Sequence, residues 1–381
     1  MRLLDCHNFH DFRRLAKRRL PGPIFNYIDG AADDEVTYRQ NTASFERCDL
    51  VPNVLRGVEA VDLSVTVMGQ KLATPFYCSP TALQRLFHHQ GERAVAAAAS
   101  KYGTMFGASS LGTVSLEELR NDYSTPQVYQ FYFHKDRGLN QSMLQRAKQT
   151  GVDVMMLTVD SITGGNRERD IRSGFSIPFK LTLNAMLQFA IKPGWGLNYL
   201  LHENFKLPQL DEYVDMGGGT MSIEKYFTEM LDPSMNWDDV AELVRLWDGQ
   251  FCLKGIMSVA DAERAADIGC SGIILSNHGG RQLDGSRTSF DQLAEIVDAV
   301  GDRLDVMMDG GIQRGTHILK ALSLGAKAVG IGRYYLYPLA AGGQAGVERA
   351  LGLLKAETER SMKLMGCTSI DQLSRDNLRF K

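Results

Sequence analysis

His278 and Arg281 stand three residues apart in the run Ser276-Asn277-His278-Gly279-Gly280-Arg281-Gln282-Leu283-Asp284. An imidazole titrates near neutrality and can take up a proton, and a guanidinium can hold a carboxylate through two parallel N–H bonds. Further polar and titratable groups close other apolar runs: Thr158 and Asp160, Lys254, Asp309 before Gly310-Gly311, and Gly332-Arg333. Lys254 suits stabilisation of a developing anion. Asp160 suits orienting His278 and favouring its protonated form. Arg167 is a second candidate for gripping a carboxylate beside Arg281. The glycines offer bare backbone N–H groups and Arg333 a guanidinium, a combination suited to phosphate. One such residue could serve a structural ion pair; five run ends together point to a shared chemical rim.

A rim needs elements that bring its parts together. From about residue 75 a short apolar run alternates with a helix-periodic stretch. The runs are Pro75–Ala82, Thr104–Ser110, Gln127–Phe133, Val152–Asp160, Phe251–Ile256, Ser271–His278, Leu304–Gly311 and Ala326–Arg333. They lack strict alternation, as expected of strands buried on both faces. Helical patterns cover Gly91–Tyr102, Arg137–Gln149, Asp238–Trp247, Val259–Ile268, Phe290–Val300 and Gly315–Leu324. Gly151, Gly269, Gly301 and Gly325 fall where helix C-terminal glycines belong. Eight strand–helix units predict an α/β fold closed as a (β/α)8 TIM barrel, whose chemistry sits at the C-terminal strand ends and whose phosphate site follows strands seven and eight. The expected organisation is one barrel domain over 1–381, with residues 1–74 as an N-terminal helical cap and 161–236 as a long insertion after strand four.

Within the insertion, residues 179–201 are apolar and aromatic, from Leu181 to Ile191 and on through Pro193, Trp195 and Tyr199. The segment is too short to span a bilayer; it suits a membrane interface or a lid packed on its own barrel or on a neighbouring subunit. A net charge of −3 gives no footprint for nucleic acid. The six cysteines show neither paired spacing nor zinc spacing, so buried thiols and no metal are expected. No secretory signal is visible, and a cytoplasmic location, with peripheral contact at the inner face of the membrane, is expected.

The run SNHGGRQLD resembles the signature of the FMN-dependent 2-hydroxy acid oxidases and dehydrogenases, a family that includes glycolate oxidase, flavin-type lactate dehydrogenases and mandelate dehydrogenase. Leu20-Pro21 with Tyr27 and Gly30-Ala31, Ser79-Pro80-Thr81-Ala82, Gln130-Phe131-Tyr132, Leu157-Thr158-Val159-Asp160, Lys254-Gly255 and Gly332-Arg333 extend the similarity over nearly the whole chain. The resemblance implies FMN. It places Thr81 and Ala82 by the flavin ring and Ser109, Gln130, Thr158 and Lys254 on its polar edge. Asp309 falls to the ribityl chain, and Gly311, Gly332 and Arg333 to the phosphate. His278 paired with Asp160 is the implied base, Arg281, Arg167 and Tyr27 hold the substrate carboxylate, and Tyr132 meets the substrate hydroxyl. Gln313 departs from the pattern, which has Arg there; weaker FMN binding is expected unless Arg314 or Arg333 compensates.

The implied reaction oxidises an (S)-2-hydroxy acid, lactate- or mandelate-like, to the 2-oxo acid. Leu111, where glycolate oxidase-like relatives often carry Trp, and Gly164-Gly165 leave room for a larger substrate. The Pro-x-Trp at Pro193-Gly194-Trp195 resembles membrane-associated dehydrogenases and favours a quinone or other respiratory acceptor over oxygen. The resemblance also implies a homo-oligomer, a tetramer. Competing readings are an oxygen-using oxidase, a non-redox FMN barrel isomerase, and a non-catalytic barrel that has lost FMN. The isomerase would not need His278, Arg281 and Arg167 around one carboxylate.

Overall fold

A computed structural model describes residues 1–175, 190–203, 205–210 and 226–381. Eight parallel strands close into a barrel: Phe76–Cys78, Phe106–Ser109, Gln127–Tyr132, Val154–Thr158, Phe251–Ile256, Gly272–Leu275, Asp305–Asp309 and Val329–Ile331. Each lies inside one of the eight apolar runs. The eighth strand pairs with the first, from Val329 opposite Phe76 to Ile331 opposite Cys78, and so closes the ring. Every residue of the third, fourth and sixth strands is buried, which explains runs without alternation.

The period of two divides the barrel interior into layers. Val128, Met156, Cys252, Ile274 and Met307 belong to one apolar cluster inside it. Two residues further along each strand stand Gln130, Thr158, Lys254, Ser276 and Asp309. Apolar filling thus gives way to polar groups at the C-terminal ends. The opposite end is plugged by the hairpin Val65–Val67 and Gln70–Leu72, which adds Val67, Met68 and Leu72 to the apolar cluster. The Met68 N–H donates to the Asp305 carboxylate at 2.5 Å, fixing the plug to the barrel.

The helices follow from their caps. Asp136, Ser258 and Thr288 accept backbone N–H bonds at the starts of Arg137–Thr150, Val259–Asp267 and Ser289–Val300. Gly151 ends its helix with φ of 67°. Gly301 also ends a helix but keeps φ of −67°; its lack of a side chain leaves room for the Val297 carbonyl, which an added Cβ would meet at 2.6 Å. Among the described helices of the barrel repeat, two lie outside the sequence expectation. Leu116–Asp122 is too short to show a period. Arg333–Met365 is interrupted in pattern by Pro338 and by non-helical backbone at Gly342 and Gly343.

Phe9–Arg19, Gly22–Asp29 and Val36–Ala43 form the N-terminal helices. Asp29 ties them to the rest: its carboxylate accepts from Arg13 at 2.5 and 2.8 Å, Arg169 at 2.9 Å and Tyr337 at 2.6 Å. Burial alone would raise its pKa, but these donors bring it down to about 2. In the connection after the fourth strand the described elements are Glu168–Ser173, Pro193–Leu200 and one helical turn at Tyr226–Met230. The apolar stretch 181–189 lies outside the described residues. Leu197, Leu200 and Leu201 of the remainder are exposed. Among the described residues no helix is long and apolar enough to cross a membrane.

Candidate active site

A cleft of about 1110 Å³, counting its open mouth, lies over the C-terminal strand ends. Tyr27, Thr81, Ala82, Ser109, Gln130, Tyr132, Thr158, Arg167, Lys254, His278, Arg281, Asp309, Gly311, Gly332 and Arg333 all line it. Asp160 stands just behind His278, its Oδ1 3.0 Å from His278 Nδ1. The sequence expectations therefore converge in one place.

Two backbone features build that pair. His278 has φ of 57°, in the left-handed region, which turns it out of line with the strand that ends at Leu275. Gly255 has φ of 111° and no side chain; an added Cβ would lie 2.7 Å from the Asp160 Cβ. Asp160 thus reaches across the end of the fifth strand to His278. Burial depresses the His278 pKa, Lys254 and Arg167 depress it further, and Asp160 pulls the other way; the net shift is downward. The resting imidazole is neutral, with Nδ1–H donated to Asp160 and Nε2 left as the basic nitrogen. Ser161 Oγ donates to Asp160 Oδ1 at 3.0 Å and steadies the carboxylate.

Lys254 sits inside the barrel end with Ser276 and Asp309. Its Nζ donates to Ser276 Oγ at 2.7 Å and lies 3.2 Å from Asp309 Oδ2, while Ser276 Oγ donates to Asp309 Oδ1 at 2.6 Å. Burial opposes the ammonium, but the charges of Asp309 and Asp160 outweigh it and raise the pKa, so a fixed cation faces the cleft floor. Ser276 was not singled out from sequence; its place two residues after inward-facing Ile274 is the signal that finds it. Phe87 and Ser79, from the loops after the first strand, also line the cleft without having been expected.

Arg281 donates Nη1 to the Tyr27 and Gly30 carbonyls at 2.6 and 3.0 Å and stacks 4.9 Å over the Tyr27 ring. Burial and then the neighbouring Arg167 charge push it down to about 9. The Arg167 Nε is buried without a hydrogen-bond partner. Two crowded cations, one with an orphan donor, form a place for an anion. Tyr132 is buried, which raises its phenol and keeps it a neutral donor at the same wall.

The remaining groups fit FMN. Gln130 Oε1 accepts from Ser109 Oγ at 2.8 Å, which turns the amide so that Nε2 is left buried and unpartnered, a donor for a ring carbonyl. At the other end Gly310 and Gly311 have φ of 97° and 76°, and a Cβ on Gly311 would strike the Asn41 carbonyl at 2.1 Å. Gly332 opens into free space ahead of the helix that starts at Arg333, so its N–H and the helix terminus can meet phosphate. Arg333 donates to the Ile28, Gly279 and Gly30 carbonyls at 2.8, 2.9 and 2.7 Å. Two of its five N–H groups therefore remain. Arg314, expected to compensate, instead faces Glu357 at 3.6 Å, and neither it nor Gln313 lines the cleft. Gln313 donates to Thr42 Oγ1 at 3.1 Å instead. Among the described residues no cluster of His, Cys, Asp and Glu has the arrangement of a metal site.

Comparison with known proteins gives the same picture. The family model for FMN-dependent dehydrogenases matches residues 16–380. An L-lactate oxidase from Nostoc sp. is 40% identical over 370 residues, covering 96% of this chain and 96% of the relative. An L-lactate dehydrogenase from Pseudomonas syringae pv. syringae is 39% identical over 367 residues, covering 95% and 96%. The solved structure of a monotopic membrane protein, (S)-mandelate dehydrogenase, superposes with a TM-score of 0.93 at 35% identity, covering 99% of this chain and 100% of that one.

Proposed function

We propose, for a chain that belongs to the FMN-dependent dehydrogenase family and is an FMN-dependent 2-hydroxy acid oxidoreductase, a finer assignment: it oxidises an (S)-2-hydroxy acid of lactate or mandelate type and delivers the electrons to a quinone. The observation that carries the substrate half is the hydrogen-bonded His278–Asp160 pair set at the same cleft as the Arg281–Arg167 cations.

In this reading the substrate carboxylate sits between Arg281 and Arg167, and Tyr27 walls its other side. Tyr132 donates to the substrate hydroxyl. His278 Nε2 accepts one proton, and Asp160 stabilises the imidazolium that results, as a buried carboxylate does for a base charged during turnover. FMN, when bound, would accept the two electrons and the second proton released as the acid becomes a 2-oxo acid. Lys254 supplies positive charge beside the ring, and Ser276 with Asp309 holds that charge in place. Gln130, Ser109, Thr158, Thr81 and Ala82 hold the ring, Asp309 the ribityl chain, and Gly311, Gly332 and Arg333 the phosphate. Leu111 is a smaller wall than an indole, which supports room for a substrate as large as mandelate.

The quinone assignment draws on the exposed Leu197, Leu200 and Leu201, beside basic Arg18, Arg19 and Lys192, which suit peripheral contact with a membrane through 179–201. The similarity to a mandelate dehydrogenase described as a monotopic membrane protein supports it further. Oxygen as acceptor is the second reading, favoured by the similarity to an L-lactate oxidase. The test is to reduce the FMN-loaded protein with substrate under nitrogen and then add either oxygen or a short-chain ubiquinone analogue. Reoxidation at least tenfold faster by the quinone supports the assignment; faster reoxidation by oxygen replaces it with an oxidase.

A further inference from the structure

A second cavity, of about 840 Å³ counting its open mouth, shares Phe87 as a lining residue with the first. Its far wall is Trp195, on the helix Pro193–Leu200, and its floor includes Ala340 of the last long helix. Trp195 is fixed by donation of its Nε1–H to the Leu86 carbonyl at 2.7 Å and by stacking on Tyr199 at 5.2 Å. Two aromatic residues thus line the space, and Leu197, Leu200 and Leu201, on and just after the helix that carries Trp195, are exposed. Around the same cavity stand donors. Arg19 makes no side-chain hydrogen bond or ion pair among the described residues. Lys192 is held nearby by donation to the Arg18 carbonyl at 2.6 Å. His88 Nδ1 accepts from the Gln90 N–H at 3.4 Å, so its proton sits on Nε2. Burial keeps that imidazole neutral by bringing its pKa down to about 4.

We propose that this cavity binds the head group of the quinone acceptor, stacked between Phe87 and Trp195 with its carbonyl oxygens toward Arg19, Lys192 and His88. The proposal rests on the quinone reading above. The chemistry matches on each side: a flat, apolar ring with two acceptor oxygens needs aromatic walls and N–H donors, and an isoprenoid tail needs an apolar exit. The shared Phe87 wall puts the acceptor one side chain away from the flavin cleft. In the step itself the quinone gains two electrons from reduced FMN and two protons, one from the reduced flavin and one from water. It leaves as the quinol, and FMN returns to its oxidised form.

The test uses the FMN-loaded full chain and two variants. Gly194 lines the cavity, and an added Cβ there meets nothing within 4 Å, so Gly194→Leu adds an apolar side chain at the cavity wall with no clash at its Cβ. Trp195→Leu removes the stacking wall. Binding of a short-chain ubiquinone analogue is followed by tryptophan fluorescence, and the substrate-reduced flavin is reoxidised under nitrogen by the quinone or by ferricyanide. The wild type should show saturable quenching, and both variants should lose quinone affinity and quinone reoxidation by at least tenfold. Substrate-driven bleaching and ferricyanide reoxidation should be unchanged. Variants reoxidised by quinone at the wild-type rate overturn the site. A wild type reoxidised by oxygen but not by quinone instead removes the acceptor reading, and the site with it.

Discussion

His278 and Asp160 are joined by a 3.0 Å hydrogen bond that crosses the end of the fifth strand, and Gly255 is the residue that makes the crossing possible. The pair needs a backbone without a side chain below it and a left-handed residue at its other end. If His278 is the base, His278→Ala and His278→Gln keep FMN and its visible spectrum but slow substrate bleaching by roughly 10²- to 10⁴-fold. Gly255→Ala displaces Asp160 and should slow bleaching with FMN retained. Rapid-mixing absorbance under nitrogen checks all three.

The pH dependence carries a sign. A base works when deprotonated, and burial holds His278 below its ordinary value of 6.5. The bleaching rate per substrate concentration should therefore stay level as pH falls to about 6.5 and decline only below it. Asp160→Asn removes the group that pulls the pKa up, so the acid limb should move to still lower pH while the plateau drops. An acid limb above 6.5 in the wild type contradicts the neutral resting imidazole.

Lys254, Ser276 and Asp309 form a buried unit, and breaking it should show in stability. Lys254→Met leaves the Asp309 carboxylate without its cation in a nearly dry site. Loss of one partner of such a pair costs about 3–5 kcal/mol. Denaturant unfolding of the FMN-free protein should reveal that loss, and Ser276→Ala should cost less because the direct Lys254–Asp309 contact remains.

Gln313 bonds to Thr42 and Arg314 to Glu357, so Arg333 is the guanidinium left at the proposed phosphate end. Gln313→Arg should tighten FMN binding by about 1.5–3 kcal/mol, the range of a hydrogen bond to a charged group. Gly311→Ala should abolish binding, since its Cβ meets the Asn41 carbonyl at 2.1 Å. Flavin fluorescence titration measures both.

Leu111 is buried in the cleft wall. Leu111→Trp should weaken turnover of (S)-mandelate by at least tenfold and alter that of (S)-lactate much less. Equal losses on the two acids would place the substrate away from this wall.

Much of this was legible in the chain because the barrel strands are buried on both faces and so announce themselves as apolar runs. His278, Lys254, Asp309 and Arg333 were findable as polar residues where those runs end. The Lys254–Ser276–Asp309 unit was not, because a serine in a strand carries no mark of the two charges it bridges until the neighbouring strands are placed. The plug at Val65–Leu72 was hidden for a like reason: its four apolar residues look like any short strand until the barrel floor is built above them. Proline and glycine at 338, 342 and 343 disguised the last long helix. The Arg314 expectation failed on a partner, Glu357, that sequence distance concealed.

The most direct test of the central claim is the visible spectrum of the FMN-loaded protein under nitrogen as (S)-lactate and then (S)-mandelate is added. At least one acid should bleach the flavin band in the wild type, and neither should do so at a comparable rate in His278→Gln. A flavin-loaded wild type that neither acid bleaches, or a His278→Gln variant bleached as fast as the wild type, contradicts it.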